Sequence, residues 1–144
     1  MNYHDLLQLY FERSNALQNY WNLYVVIVGG LLAFSSMRKQ PAAMTTLVVS
    51  LLFGLFANEN LDAILTVTRQ RHATLAALKQ TEPASTAPEI KSTRDLLEPT
   101  LTPALENATQ RTHLISDILT IIGLWALELR RRKYAETVGV KVGG

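Results

Sequence analysis

Side chains able to do chemistry in this 144-residue chain concentrate first on His113 and Asp117. They stand four positions apart, so a helix places them on one face and within reach of each other. Both flank the start of an apolar run over residues 114–129. An ionisable pair at the edge of a membrane span is by default a proton relay or an ion site. The plainer alternative is two groups in the first turns of a span, still in reach of water. Gln110 and Thr120 lie along the same stripe and Glu128 returns to it; with Arg131 or Arg132, Glu128 reads as an interfacial ion pair.

A second pattern is longer. Gln8, Glu12, Asn15, Asn19 and Asn22 are spaced four, three, four and three, which confines them to an arc of roughly 80° on a helix. The same face continues as Val26, Gly30 and Ala33, polar at first and small-sided afterwards. In lipid, small residues let a second helix approach closely while Asn and Gln hydrogen-bond across the contact. The functional reading is a pore or polar seam lined by this stripe in an oligomer. The competing readings are a packing face within a bundle and the wet side of an amphipathic segment. Thr46, Ser50, Gly54 and Ala57 form a comparable face, with Ser50 and Gly54 as a small-x-x-x-small step suited to close helix packing. Glu59 and Asp62 just beyond read as the solvated end of a span.

Other chemistries find no support. With no cysteine there is neither a disulfide framework nor a thiolate metal site. His4, His72 and His113 lack metal-ligand spacing, and no serine sits in a Gly-x-Ser-x-Gly context. Gly29 and Gly30 fall inside an apolar run rather than a phosphate loop. Arg69, Arg71, His72 and Lys79 read as a solvated helix face, and Asn107-Ala-Thr109 as a chance match to a glycosylation sequon. A net charge of +2 is too small to imply nucleic acid. The expectation is a protein that is not an enzyme and carries neither cofactor nor metal.

The elements that position these residues follow from where the charges are missing. Apolar stretches over 21–37, 42–57 and 114–129 approach the length a bilayer core requires, and most of the 14 basic and 12 acidic residues lie between them. Asp5, Glu12 and Arg13 precede the first stretch in place of a basic leader, so an uncleaved anchor is expected. Residues 3–37 contain no proline and repeat apolar residues at helical spacing, predicting one helix of roughly 52 Å, longer than the hydrocarbon core. Tyr20, Trp21 and Tyr24 mark its headgroup level. Arg38 to Pro41 makes a turn. A second helix starts at Ala42 and continues as an amphipathic segment, giving a transmembrane hairpin with an extramembrane stalk over 1–80.

Residues 81–103 hold Pro83, Pro88, Pro99 and Pro103 and predict a connector with one helical turn near 93–98. Thr102-Pro103 predicts an N-cap and first helical residue, so the third helix should run over 104–135, with 136–144 a frayed tail. Its apolar part spans about 24 Å, a short crossing, and two spans with a packed third helix is the rival arrangement. Basic clusters at Arg38-Lys39 and at Arg130, Arg131, Arg132 and Lys133 each follow an apolar run. The positive-inside bias then puts the turn and the C-terminus in the cytoplasm and the N-terminus outside, in a multi-pass protein of a bacterial inner membrane.

The segment Glu12-Arg-Ser-Asn-Ala-Leu-Gln-Asn-Tyr-Trp-Asn-Leu-Tyr24, leading into a glycine-containing span and a hairpin, resembles over about residues 10–80 the layout of small bacterial two-helix effector modules of the SLATT type. That resemblance implies membrane perforation. Three spans, an outside N-terminus and a basic cytoplasmic tail also resemble a class of phage holins. The third span and proline-rich loop depart from the first group, and the long 58–112 loop from the second. Both likenesses are of layout, and no residue role passes across. The expected fold is all-α and integral to the membrane. The expected function is a protein that self-associates through its spans in membrane lipid, as a homo-oligomeric pore. The alternative is a scaffold or accessory subunit that holds a partner protein on the stalk and connector. Ion or proton transport through His113 and Asp117 comes third.

Overall fold

The computed structural model describes residues 2–81 and 88–142. Its helices are α1 (Tyr3–Met37), α2 (Ala43–Gln80), α3 (Pro88–Leu97) and α4 (Glu106–Val142), with a 3-10 turn at Glu98–Thr100 between the last two. Among the described residues there is no strand, and the fold is all-α. Three of the helices, α1, α2 and α4, are long and apolar enough to cross a membrane.

Helix α1 opens with a reciprocal cap. The Asp5 amide donates to Asn2 Oδ1 at 2.9 Å and the Asn2 amide to Asp5 Oδ2 at 3.0 Å, satisfying amides that have no partner inside the helix. The helix ends at Met37, and Arg38 reaches over the turn to the Ala42 carbonyl at 3.2 Å. Three expectations are corrected. The connector holds a ten-residue helix, α3, rather than one turn: Pro88 occupies the first helical position, where its missing amide costs nothing. Helix α4 begins at Glu106, two residues later than the expected start at Ala104; the Ala104 carbonyl faces His72 Nε2 at 3.1 Å instead of entering the helix. The tail from residue 136 is helical to Val142, since a single Gly139 costs only about 1 kcal/mol. Residues 82–87 of the connector and 143–144 of the tail lie outside the described residues.

The chain divides into two units. The first comprises Met1–Trp21 and Asp62–Gln110. Its core is Leu6, Tyr10, Leu75, Leu78 and Leu101, with Tyr3, Leu7 and Ala77 packed against it. Arg71 lies over the Tyr10 ring and donates to its hydroxyl at 3.0 Å, and Arg94 lies over Tyr3 while pairing with Glu98.

The second unit comprises Asn22–Leu61 and Arg111–Gly144. Its polarity is inverted. Ser35, Thr46, Ser50, Asn60, His113, Thr120 and Glu128 are buried beside Tyr24, Phe53, Ala57 and Leu124. Leu51, Leu52, Leu55, Ile118, Leu119 and Ile122 face outward. Ser50 and Thr120 satisfy their hydroxyls on their own helices, on the carbonyls of Thr46 and Ser116. Helices α1 and α4 meet closely at Gly123, where a Cβ would stand 3.3 Å from the Leu32 side chain.

Candidate functional site

Buried positions of the second unit recur at alternating steps of four and three on α2. They are Thr46, Ser50, Phe53, Ala57 and Asn60, a seam that keeps facing its neighbours along a helix. Of the face read from small residues, Thr46, Ser50 and Ala57 are buried. Gly54 is not: it is exposed, and a Cβ there would meet nothing within 4 Å. One residue past Phe53, it is turned about 100° from the seam.

Two clusters of polar groups are built on this seam. In the first, α4 supplies His113 and Asp117, α1 supplies Tyr24 and α2 supplies Asn60. The Tyr24 hydroxyl donates to Asp117 Oδ1 at 2.8 Å. His113 Nδ1 lies 2.9 Å from Asp117 Oδ2 and Nε2 lies 3.1 Å from Asn60 Oδ1. The Tyr24 and His113 ring centroids are 4.3 Å apart. With an oxygen facing each nitrogen, the imidazole donates at both when protonated and at one when neutral. His113 is 0% exposed, so the picture of a pair wetted by interfacial water is corrected: three helices enclose it, and Asp117 keeps 14% side-chain exposure. A hydrogen-bonded chain from a carboxylate through an imidazole can hold a proton or hand it on.

The second cluster centres on Glu128, also 0% exposed. Its carboxylate accepts from the Ala42 amide at 2.8 Å, from the Thr46 hydroxyl at 3.2 Å and from Arg131 at 3.0 Å. Arg132 approaches at 3.5 Å. Arg131 also donates to the Ser35 carbonyl, and its Nε is buried without a hydrogen-bond partner among the described residues. The arrangement has a local cause. Ala42 heads α2, where amides lack intrahelical partners and the helix dipole favours an anion. Glu128 therefore caps one helix from another, which is more than the interfacial ion pair that its sequence neighbours suggest.

The polar stripe on α1 takes no part in either cluster. Gln8, Glu12, Asn15 and Asn19 in the first unit are all exposed, as are Asn22, Val26, Gly30 and Ala33 in the second. Among the described residues, Gln8 and Glu12 bond to each other at 2.9 Å. A Cβ added at Gly29 or Gly30 would meet nothing within 4 Å. The face that packs within the chain is a different one, through Leu6, Tyr10, Tyr24 and Ser35.

In the first unit, Arg69 pairs with Glu106 on the surface, and this guanidinium holds the Glu106 carboxyl below its ordinary range. Sequence reasoning missed Asn60, gave Ala42 only as the start of a helix, and gave Tyr24 a headgroup role alone. The one available signal was that Tyr24 and His113 stand near the starts of the first and third apolar stretches and Asn60 near the end of the second, which a hairpin brings to one side. Compared with protein-family models, curated proteins and solved structures, the chain matches none.

Proposed function

We propose that this chain is a small, non-enzymatic integral membrane protein that crosses the bilayer three times and self-associates through the exposed face of α1, forming a path for solutes. The hairpin turn and the end of α4 then lie on the cytoplasmic side of a bacterial inner membrane. One observation carries the reading: the whole stripe from Gln8 to Ala33 is left exposed by packing within the chain. The exposed Asn15 and Asn19 amides lie just before the apolar stretch and Asn22 at its edge, where Asn side chains can hydrogen-bond across the contact with a second copy. Gly30 and Ala33 leave room for the approaching backbone. Protein reconstituted into vesicles should release a small dye, and the double variant Asn15→Leu, Asn19→Leu should abolish the release. Intact vesicles around oligomers verified by cross-linking would sink the reading.

Proton movement through the cluster around His113 is a second reading, favoured by the complete burial of that ring between Asp117 and Asn60. Buried intramembrane acid–base pairs are expensive and mark proton routes. Its test is proton flux into reconstituted vesicles, which Asp117→Asn should stop; unchanged flux removes the idea.

A further inference from the structure

One end of the second unit holds a cavity of about 560 Å³, within the size range of small-ligand sites. Arg38 and Lys39 from the hairpin turn and Arg130, Arg131 and Lys133 from α4 line it, with Leu127 as an apolar wall. No carboxylate lines it among the described residues. Arg131 is neutralised by Glu128. Arg38 is held by neutral groups, the Ala42 carbonyl and the Thr46 hydroxyl, and lies 5.9 Å over the Phe34 ring, so its charge is uncompensated. Lys39, Arg130 and Lys133 have no carboxylate partner among the described residues. Four cations thus share one concavity and concentrate positive potential in it.

Its placement in the chain decides the anion. Arg38 and Lys39 directly follow the apolar stretch 21–37, and Arg130 to Lys133 directly follow 114–129. That is the depth at which lipid phosphates lie. Phe34, Met37 and Leu129, next to the basic residues in sequence, are exposed apolar side chains on which acyl chains can rest. Guanidinium groups pair with phosphate oxygens two at a time, and basic pockets between membrane helices take acidic headgroups. We propose that this cavity binds the phosphate-bearing headgroup of an anionic phospholipid, and prefers two phosphates to one because four charges await neutralisation.

The proposal rests on the reading that these helices cross a bilayer, and the test separates the two. Full-length protein is first washed in its native membranes with alkaline carbonate, then placed in nanodiscs of phosphatidylcholine, phosphatidylglycerol and diphosphatidylglycerol in equal parts. Native mass spectrometry counts the lipids it retains. The expected order is diphosphatidylglycerol, then phosphatidylglycerol, then phosphatidylcholine. Arg130→Gln with Lys133→Gln, both at exposed positions, should weaken acidic-lipid retention roughly thirty-fold. Lys79→Gln with Lys91→Gln, the same charge loss in the first unit, should change nothing, and Lys133→Arg should retain lipid. Retention in carbonate with no selectivity overturns the proposal alone, as does equal loss from the distant pair. Displacement by millimolar inorganic pyrophosphate would make this a soluble-phosphate site and overturn the lipid assignment. Release by carbonate overturns the membrane reading and the proposal with it.

Discussion

Within α2, residues 62–80 bury Ile64, Leu65, Val67, Leu75 and Leu78, along with Thr68 and Thr74 whose hydroxyls bond to their own helix, and turn Arg69, Gln70 and Lys79 outward. Residues 43–61 of the same helix bury Thr46, Ser50 and Asn60 and turn Leu47, Val48, Leu51, Leu52 and Leu55 outward. The first half is arranged for water, where burying apolar surface stabilises by about 25 cal/mol per Å². The second is arranged for a solvent as oily as leucine, where that drive vanishes and polar contacts must hold the helices. One helix therefore obeys two solvation rules, and its residues change partners where the units divide, between Leu61 and Asp62. Averaging over both halves hides this, which is why the chain's mean hydropathy is only +0.09.

The comparison breaks most directly at Glu128. Replacing it by Ala strips Arg131 of its buried partner and leaves the Ala42 amide without its acceptor, so unfolding in detergent micelles should cost about 3–5 kcal/mol less. A loss below 1 kcal/mol would mean that the cluster is wet and the inversion overstated. Next come two leucines on the same helix. Leu78→Ala, in the apolar core of the first unit, should lose about 2–5 kcal/mol, whereas Leu52→Ala on the outward face of the second should lose almost nothing in micelles. Equal losses would abolish the distinction between the halves.

Smaller again is Asn60→Leu, which should cost about 1–3 kcal/mol by removing the oxygen that faces His113 Nε2. Chemical-shift changes of the His113 ring would report it, and an unaltered ring would argue that Asn60 is a bystander. The smallest effect belongs to the surface pair of the first unit. Arg69 lowers the Glu106 carboxyl when the chain is folded. Its contribution is therefore complete above the ordinary carboxylate range and disappears as pH falls through the lowered folded value. Denaturation midpoints of the parent and Glu106→Gln should converge on acidification from about pH 6 to about pH 3; parallel curves would remove the pair from the account.

What could be read from the chain beforehand was whatever is local. The bounds of α1 follow from a proline-free, periodic segment, and His113 with Asp117 from one helical turn. The partners Tyr24 and Asn60 come from 93 and 53 positions away, and no spacing rule reaches that far. Glu128 illustrates both sides: Arg131 and Arg132 are its sequence neighbours, but Ala42 is 86 positions distant. Gly54 shows the opposite hazard. Four-residue spacing from Ser50 drew it into the small-residue face, while the seam actually steps by three to the bulkier Phe53. Prolines misled in the connector because they both start and stop helices: Pro88 opens α3, and Pro99 lies in the 3-10 turn that follows it.

A cap supplied across the chain has a consequence for biogenesis. Synthesis delivers Ala42 more than eighty residues before Glu128, so the hairpin leaves the ribosome with the head of α2 still lacking its anion. Arg38, by contrast, has its partners within the hairpin, the Ala42 carbonyl and the Thr46 hydroxyl. The final helix is in this sense a latch: until its last turns arrive, the first two remain an unfinished pair.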